Sequence, residues 1–457
     1  MLIASIVAFA FFMENLDQTV ITTAIPAMAE SLGQPPLQLN LAITSYLLSL
    51  AVFMPISGWI ADRYGARSVF CAAIAIFTVG SALSGLATSL GMMVATRGLQ
   101  GLGGAMMTPV GRLILLRTFP RDRLVTAMMY MSIPAMIGPT IGPVVGGFLT
   151  TYASWRWIFY VNIPIGLIGI LLARRFIIEH HAPPPARFDV LGFVLCGVGL
   201  ASLQLAIENL ARPLGPPGTE IALFVLAAGV LALYVRHAHR RENPAVDLAV
   251  LRIRSFRIGV VSGSVCRIGM NAAPFLLPLL FQLGFGLNPL QSGLLTFVMT
   301  VGAILMRPAA RWLLRTFGFR RLLVGNAVLA ALSVAGFALV HADTPHWIVL
   351  LAVLVFGFLR STQFIAINTL SYAEVPPGLT SRATGIASLC QQLSLSFGVA
   401  IAASLLALVV GHDRPIAAAD FQPVFLCTAL ITLVSVGGFL RLKPHDGEVV
   451  SGFHPSR

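Results

Sequence analysis

The chain has 457 residues, of which 57% are hydrophobic and only 10% are charged. A water-soluble domain carries about 25% charged residues, so this pool cannot make a water-facing surface, and the chain reads as a polytopic membrane protein. A net charge of +13 would point to nucleic acid in a soluble protein. Here the arginines gather between apolar runs, and no nucleic-acid partner is expected.

Apolar runs of about 20 residues predict fourteen transmembrane helices. They lie at 2–29, 39–61, 69–90, 92–117, 124–150, 157–178, 190–211, 220–236, 256–284, 292–314, 321–341, 346–372, 384–411 and 420–441. The first run has no basic stretch before it and no cleavage site after it, so it reads as a span rather than a signal peptide. Of the 30 basic residues, 24 fall on alternate loops, among them Arg63, Arg67, Arg112, Arg117, Arg174, Arg175, Arg240 and Arg241. Only Arg156, Arg212 and Arg414 fall on the opposite side, which by the positive-inside rule places both termini in the cytoplasm. Arg97, Arg267 and Arg360 lie within spans.

The first span contains FFMENLDQTVITTAIP, with Glu14 and Asp17 in an otherwise lipid-compatible run. Three residues apart on a helix, they share one face. A carboxylate at the bilayer centre costs about 3 kcal/mol on insertion scales, so neither acid can cheaply face lipid.

Other chemistries fall away. The five cysteines lie in or beside apolar runs without metal-ligand spacing, and an odd, buried set is no disulfide framework. All nine histidines map to loops or span edges, so proton traffic inside the membrane must rely on carboxylates. Lys443 is the only lysine, which excludes a phosphate-binding loop of the Gly-x-x-x-x-Gly-Lys type. No nucleophile–base constellation appears. No metal, no cofactor and no enzyme activity is expected.

Two decapeptides repeat. GWIADRYGAR at 58–67 aligns with RWLLRTFGFR at 311–320, placing Gly65 on Gly318, Arg67 on Arg320, and Asp62 on Arg315. A parallel repeat of two six-helix halves is a transporter signature. The expected domains are an N-terminal half at 1–178, two inserted helices at 190–236, a C-terminal half at 250–441 and a cytoplasmic tail at 442–457. Polar, Pro-containing stretches flank the inserted pair.

GWIADRYGAR resembles motif A of the major facilitator superfamily, and MMVATRGLQGLGGAMM at 92–107 resembles its motif B, with Arg97, Gln100 and Gly101. IGPTIGPVVGGFL at 137–149 resembles motif C, the antiporter motif, with Gly138, Pro139, Gly142, Pro143, Gly146 and Gly147. LDQTVITTAIP and SWRWIFYVNIPIG (154–166) resemble segments of the fourteen-span drug:proton antiporters in that superfamily. The resemblance covers essentially the whole chain. It implies an all-α major facilitator fold of two six-helix halves plus two helices, in a bacterial inner membrane.

It also implies roles, each beside a plainer reading. In motif A, Gly58 would allow close helix approach, Gly65 a tight turn, and Asp62 would pair with Arg112. Arg63 and Arg67 complete that gate. The plainer reading is a basic loop with one incidental acid. In motif C the Gly-Pro steps favour a kink lining the path, or the glycines simply serve helix packing. Arg97 is implied to modulate proton release from a nearby acid, or else it snorkels to the headgroups. Asp17 matches the family's first-span aspartate and is the expected proton carrier. Glu14 is a second carrier or a contact for cationic substrate. Both acids could equally be satisfied by hydrogen bonds inside the bundle.

Gln100, Arg267, Asn271, Arg360 and Gln363 are expected to line the substrate cavity. The helical projection sets Arg267 beside Ser264 and Asn271, and Arg360 beside Gln363 and Asn368. These arginines would form ion pairs with the first-span acids or bind an anionic substrate. Gln391 and Gln392 stand where many relatives have an arginine. The expected function is a secondary exporter, protons in and drugs or other small amphipathic compounds out, by alternating access. The partners are substrate, protons, the lipid bilayer and, as an open option, a periplasmic adaptor, with the monomer as working unit. Export of organic anions or metal-chelating carboxylates is one alternative, and a non-transporting sensor or scaffold is another.

Overall fold

A computed structural model describes residues 2–119, 121–179, 188–210, 216, 218–241, 244–376, 379–411, 414–443 and 445–448, with backbone alone at 121–136, 307, 311 and 381. The expected linker at 180–187 and the expected tail beyond 448 lie outside the described residues.

The described chain is helical, with no strand among the described residues. In order the helices are α1 (Leu2–Leu32), α2 (Asn40–Phe53), α3 (Ser57–Tyr64), α4 (Ala66–Gly85), α5 (Leu90–Thr118), α6 (Arg121–Tyr152), α7 (Trp157–Tyr160), α8 (Asn162–Phe176), α9 (Val190–Asn209), α10 (Thr219–Ala238), α11 (Arg254–Leu279), α12 (Pro289–Gly336), α13 (His346–Ala373), α14 (Thr380–Val410) and α15 (Phe421–Phe439). Such helices close every backbone hydrogen bond within one segment, as a bilayer requires. Eleven stretches are long and apolar enough to cross a membrane. The other three expected spans fall on α1, α5 and α6, of 31, 29 and 32 residues. The chain is a multi-pass membrane protein.

The repeated decapeptides share a backbone device. Gly65 has φ +90° between α3 and α4, and Gly318 has φ +67° where α12 bends. Side chains rarely adopt that conformation, which explains why glycine recurs at both corners.

The chain divides into two compact units: Met1–Ala201 with Glu242–Ala245 and Asn288–Leu294, and Ser202–Arg241 with Val246–Leu287 and Leu295–Arg457. In the first, α1 packs along α6, α5 lies against α2 and α4, and α8 covers α4. A Cβ at Gly138 would come within 2.9 Å of the Leu16 backbone nitrogen, and Cβ atoms at Gly142 and Gly146 would collide with Thr19 and the Val20 carbonyl. Small residues thus let the two backbones approach closely. The Gly-Pro steps lie within one helix, α6, which runs from Arg121 to Tyr152. Gly138, Gly142 and Gly146 serve packing against the helix that carries Glu14 and Asp17, and Gly147 abuts Pro289 and Leu290.

In the second unit α11 is central, against α13, α14 and α15. Of its apolar stretch 78% is buried, against 17% for α10. Ile221, Val225 and Leu233 of α10 are each more than half exposed. Water would penalise that face, and lipid does not.

Candidate functional site

The opening acids are resolved by α2, α4, α5 and α8. Asp17 is buried on α1, and its Oδ2 accepts a hydrogen bond from Arg97 Nη1 at 2.5 Å. Its Oδ1 accepts from Gln100 Nε2 at 2.9 Å and from Asn162 Nδ2 at 3.2 Å. Asn162 also donates to Ser81 Oγ at 3.0 Å, and Ser81 in turn donates to the Phe159 carbonyl. Arg97 lies two turns into α5, which Ser89 caps by accepting the Met92 N–H. Its Nε donates to the Ala42 carbonyl at 2.9 Å, and Nη1 also donates to Gln100 Oε1. The guanidinium stacks over Tyr46, 4.3 Å from the ring centroid. It is fully buried, at 0% exposure, so it does not snorkel to headgroups. Among the described residues its Nη2 is left without a partner. Gln100, expected in the substrate cavity, belongs to this cage.

Glu14 is equally buried and accepts a hydrogen bond from Thr108 Oγ1 at 2.7 Å. The two acids therefore sit in different settings. Asp17 has a cation against it, whereas Glu14 has a hydroxyl.

Motif A forms a second cluster. Asp62 pairs with Arg117, Oδ1 to Nη2 at 2.5 Å, and not with Arg112. α5 runs to Thr118, so Arg117 lies level with the end of α3, and Arg112 lies about 7.5 Å back along the axis. Arg63 stacks on Trp59 and Tyr64, with centroids at 5.6 and 5.9 Å. Gly58 does not mediate a close helix contact, since among the described residues a Cβ there would meet nothing within 4 Å. At Gly65 a Cβ would lie 2.5 Å from Glu179 Oε1.

Glu179 went unremarked in the sequence, yet it caps α4. Its carboxylate accepts the backbone N–H groups of Arg67 at 3.0 Å and Ser68 at 3.1 Å, and Ser68 Oγ at 2.7 Å. Arg67 Nε stands 3.5 Å away. A carboxylate at a helix N-terminus meets orphan donors and the positive end of the dipole. Burial pushes its titration up, but the Ser68 and backbone hydrogen bonds and the Arg67 charge outweigh that and hold it below its ordinary 4.5.

In the second unit, Arg267 Nη2 donates to Asn368 Oδ1 at 2.6 Å, and Arg360 Nη2 donates to Asn271 Oδ1 at 3.0 Å. The pairs cross between α11 and α13, where the helical projection set each arginine beside the asparagine that the other holds. Both guanidiniums flank one ring, Phe364, at 5.1 and 5.0 Å. Neither forms an ion pair among the described residues, and the Nε of each lacks a partner there. Asp17 is engaged by Arg97 within the first unit. Gln363 is occupied elsewhere, accepting from Asn326 Nδ2 at 2.8 Å and donating to the Leu323 carbonyl.

Two outcomes follow. Asp17→Asn leaves a buried guanidinium without counter-charge and should cost about 3–5 kcal/mol of stability, and Arg97→Gln should cost a similar amount. The double variant should lose much less than the sum, read as melting temperatures in detergent, and strictly additive losses would mean the pair is not coupled. For Glu179 the charged form is favoured in the fold. Its contribution is full above pH 4.5 and is lost as pH falls through its lower folded value. The melting difference between wild type and Glu179→Gln should persist from neutrality down to pH 4.5 and shrink as the pH falls below it.

The sequence matches the model of the Major Facilitator Superfamily over residues 7–399. It is 41% identical over 437 residues to a Pectobacterium atrosepticum protein described as "Putative multidrug resistance protein MdtD", covering 94% of this chain and 92% of that one. A protein of the same description from Escherichia coli O6:H1 is 37% identical over 446 residues, covering 96% and 94%. In fold it is similar to a D-xylose-proton symporter (TM-score 0.71, 14% identity, 98% of each chain covered). A POT family transporter in complex with 5-aminolevulinic acid gives TM-score 0.73 at 14% identity, covering 98% of this chain and 96% of that one. With an all-helical membrane fold and a family model matched over most of its length, the chain belongs to the major facilitator superfamily and is a transporter, not an enzyme.

Proposed function

We propose that this transporter is a proton-coupled exporter of drugs or other small amphipathic compounds, working by alternating access in a bacterial inner membrane with both termini in the cytoplasm. It is read as a monomer driven by the proton gradient, without a cofactor. The observation that carries the reading is the Asp17 cage. A carboxylate that accepts hydrogen bonds from Arg97, Gln100 and Asn162 is a group at which a proton and a guanidinium would compete. A proton arriving at Asp17 removes the attraction that holds Arg97, and departure of the proton restores it. Coupling follows if the helices α1 and α5 shift between those two arrangements. Close packing of α6 on α1 carries such a shift beyond the site. Glu14 serves as a second carrier or as the contact for a cationic cargo. The names of the bacterial relatives support the cargo class.

A second reading is favoured by one observation. Arg267 and Arg360 are two cations around one aromatic ring with no ion pair among the described residues, as recognition of an organic anion or a metal-chelating carboxylate would require.

Flux into proteoliposomes tests both readings with one panel of cationic dyes and organic acids. Wild type should concentrate its cargo only when a pH gradient is imposed, and Asp17→Asn should abolish that accumulation. Gradient-independent accumulation, or full activity of Asp17→Asn, contradicts proton coupling through this residue. If the cargo is anionic, Arg267→Gln or Arg360→Gln should weaken it about ten- to a hundredfold and leave cationic dyes unaffected. Loss across all cargoes alongside lower melting temperatures would make the arginines structural.

A further inference from the structure

A groove unrelated to the buried cage lies on the flank of the first unit. α4 and α8 pack closely where a Cβ at Gly166 would collide with Thr78. Towards the start of α4 and the end of α8 they leave a cavity of about 460 Å³. Ser68, Cys71, Ala72 and Ala75 of α4 line one wall, at the i, i+3, i+4 and i+7 spacing of one helix face. Ile170 lines the other, and Arg67 and Arg174 stand at its end.

Three features identify the occupant. The arginines sit in the first turn of α4 and the last turn of α8, the level at which spans meet the headgroups. Exposed Val79, Leu167, Ile168 and Leu171 continue the same flank, so the groove opens onto lipid rather than water. The cavity is cationic at the interface and apolar deeper down, over about 12 Å of helix from Arg67 to Ala75. Arg174 is exposed and forms no ion pair among the described residues. The N-terminus of α4 is already filled by Glu179, so an incoming anion is held by the guanidiniums and the Ser68 hydroxyl. Glu179 opposes an anion at Arg67, which leaves Arg174 as the stronger anchor.

We propose that this groove binds an anionic phospholipid, its headgroup phosphate between Arg67 and Arg174 and the upper part of one acyl chain along Cys71, Ala72, Ala75 and Ile170. A free phosphate would use the arginines and leave the apolar wall unfilled. The site stands independently of which compound is exported.

Native mass spectrometry of the full chain in detergent, titrated with phosphatidylglycerol or phosphatidylcholine of equal chain length, tests the proposal. Wild type should retain phosphatidylglycerol about tenfold better than phosphatidylcholine. Arg174→Gln should reduce that retention about fivefold, while Arg175→Gln, at the exposed neighbour, should leave it unchanged. Ala72→Leu with Ala75→Leu fills the groove without altering charge and should reduce retention as far. If that pair fails to fold, the contrast between the two arginine variants decides alone. Equal retention of both lipids, equal loss in the Arg174 and Arg175 variants, or displacement of phosphatidylglycerol by inorganic phosphate would overturn the proposal.

Discussion

The contact between Asp17 and Arg97 organises the first unit. Bringing either charge out of water costs several kcal/mol, and their attraction offsets this only when the remaining donors and acceptors are also met. Gln100, Asn162 and the Ala42 carbonyl meet most of them, and the Tyr46 ring takes a face of the guanidinium. Each partner comes from a different place in the sequence, so one ion pair holds together α1, α2, α5 and α8. Such an arrangement has a discrete alternative. In the proposed coupling, a proton on Asp17 would remove the reason for Arg97 to stay, and the bundle joined by that pair would switch between two packings.

The second unit solves the same problem differently. Arg267 and Arg360 have no carboxylate beside them among the described residues, and two asparagines with one shared aromatic ring stand in for it. Neutral amides and a ring face compensate a buried cation less completely than an anion does. That leftover charge is the feature on which the proposed anionic cargo rests.

Much of this was legible in the sequence. Apolar runs separated by arginines pointed to the class, and the glycines of the repeated decapeptides marked two of the corners with positive φ. Asp17 and Arg97 stood out because a charge in an apolar run is costly without a partner. What the sequence hid was which polar residue each charge meets. Asn162 looked like one letter of a familiar segment, and only the packing of α8 brings it to Asp17. Glu179 sits at a span end where acids are unremarkable, and its role depends on Gly65 leaving room for it. Arg112 and Arg117 lie five apart on one helix, so choosing between them needed the length of α5. The crossed Arg–Asn pairs escaped for a similar reason, since a projection along one helix cannot rank residues on another.

Proton exchange at Asp17 is the central claim, and proton release on cargo binding measures it most directly. In weakly buffered detergent at neutral pH, with an indicator dye, adding a transported compound to wild type should release up to about one proton per chain, by the linkage between the two ligands. Asp17→Asn, stabilised by Arg97→Gln, should bind the compound and release none. Undiminished release from that double variant would place the exchanged proton on another group and contradict the account.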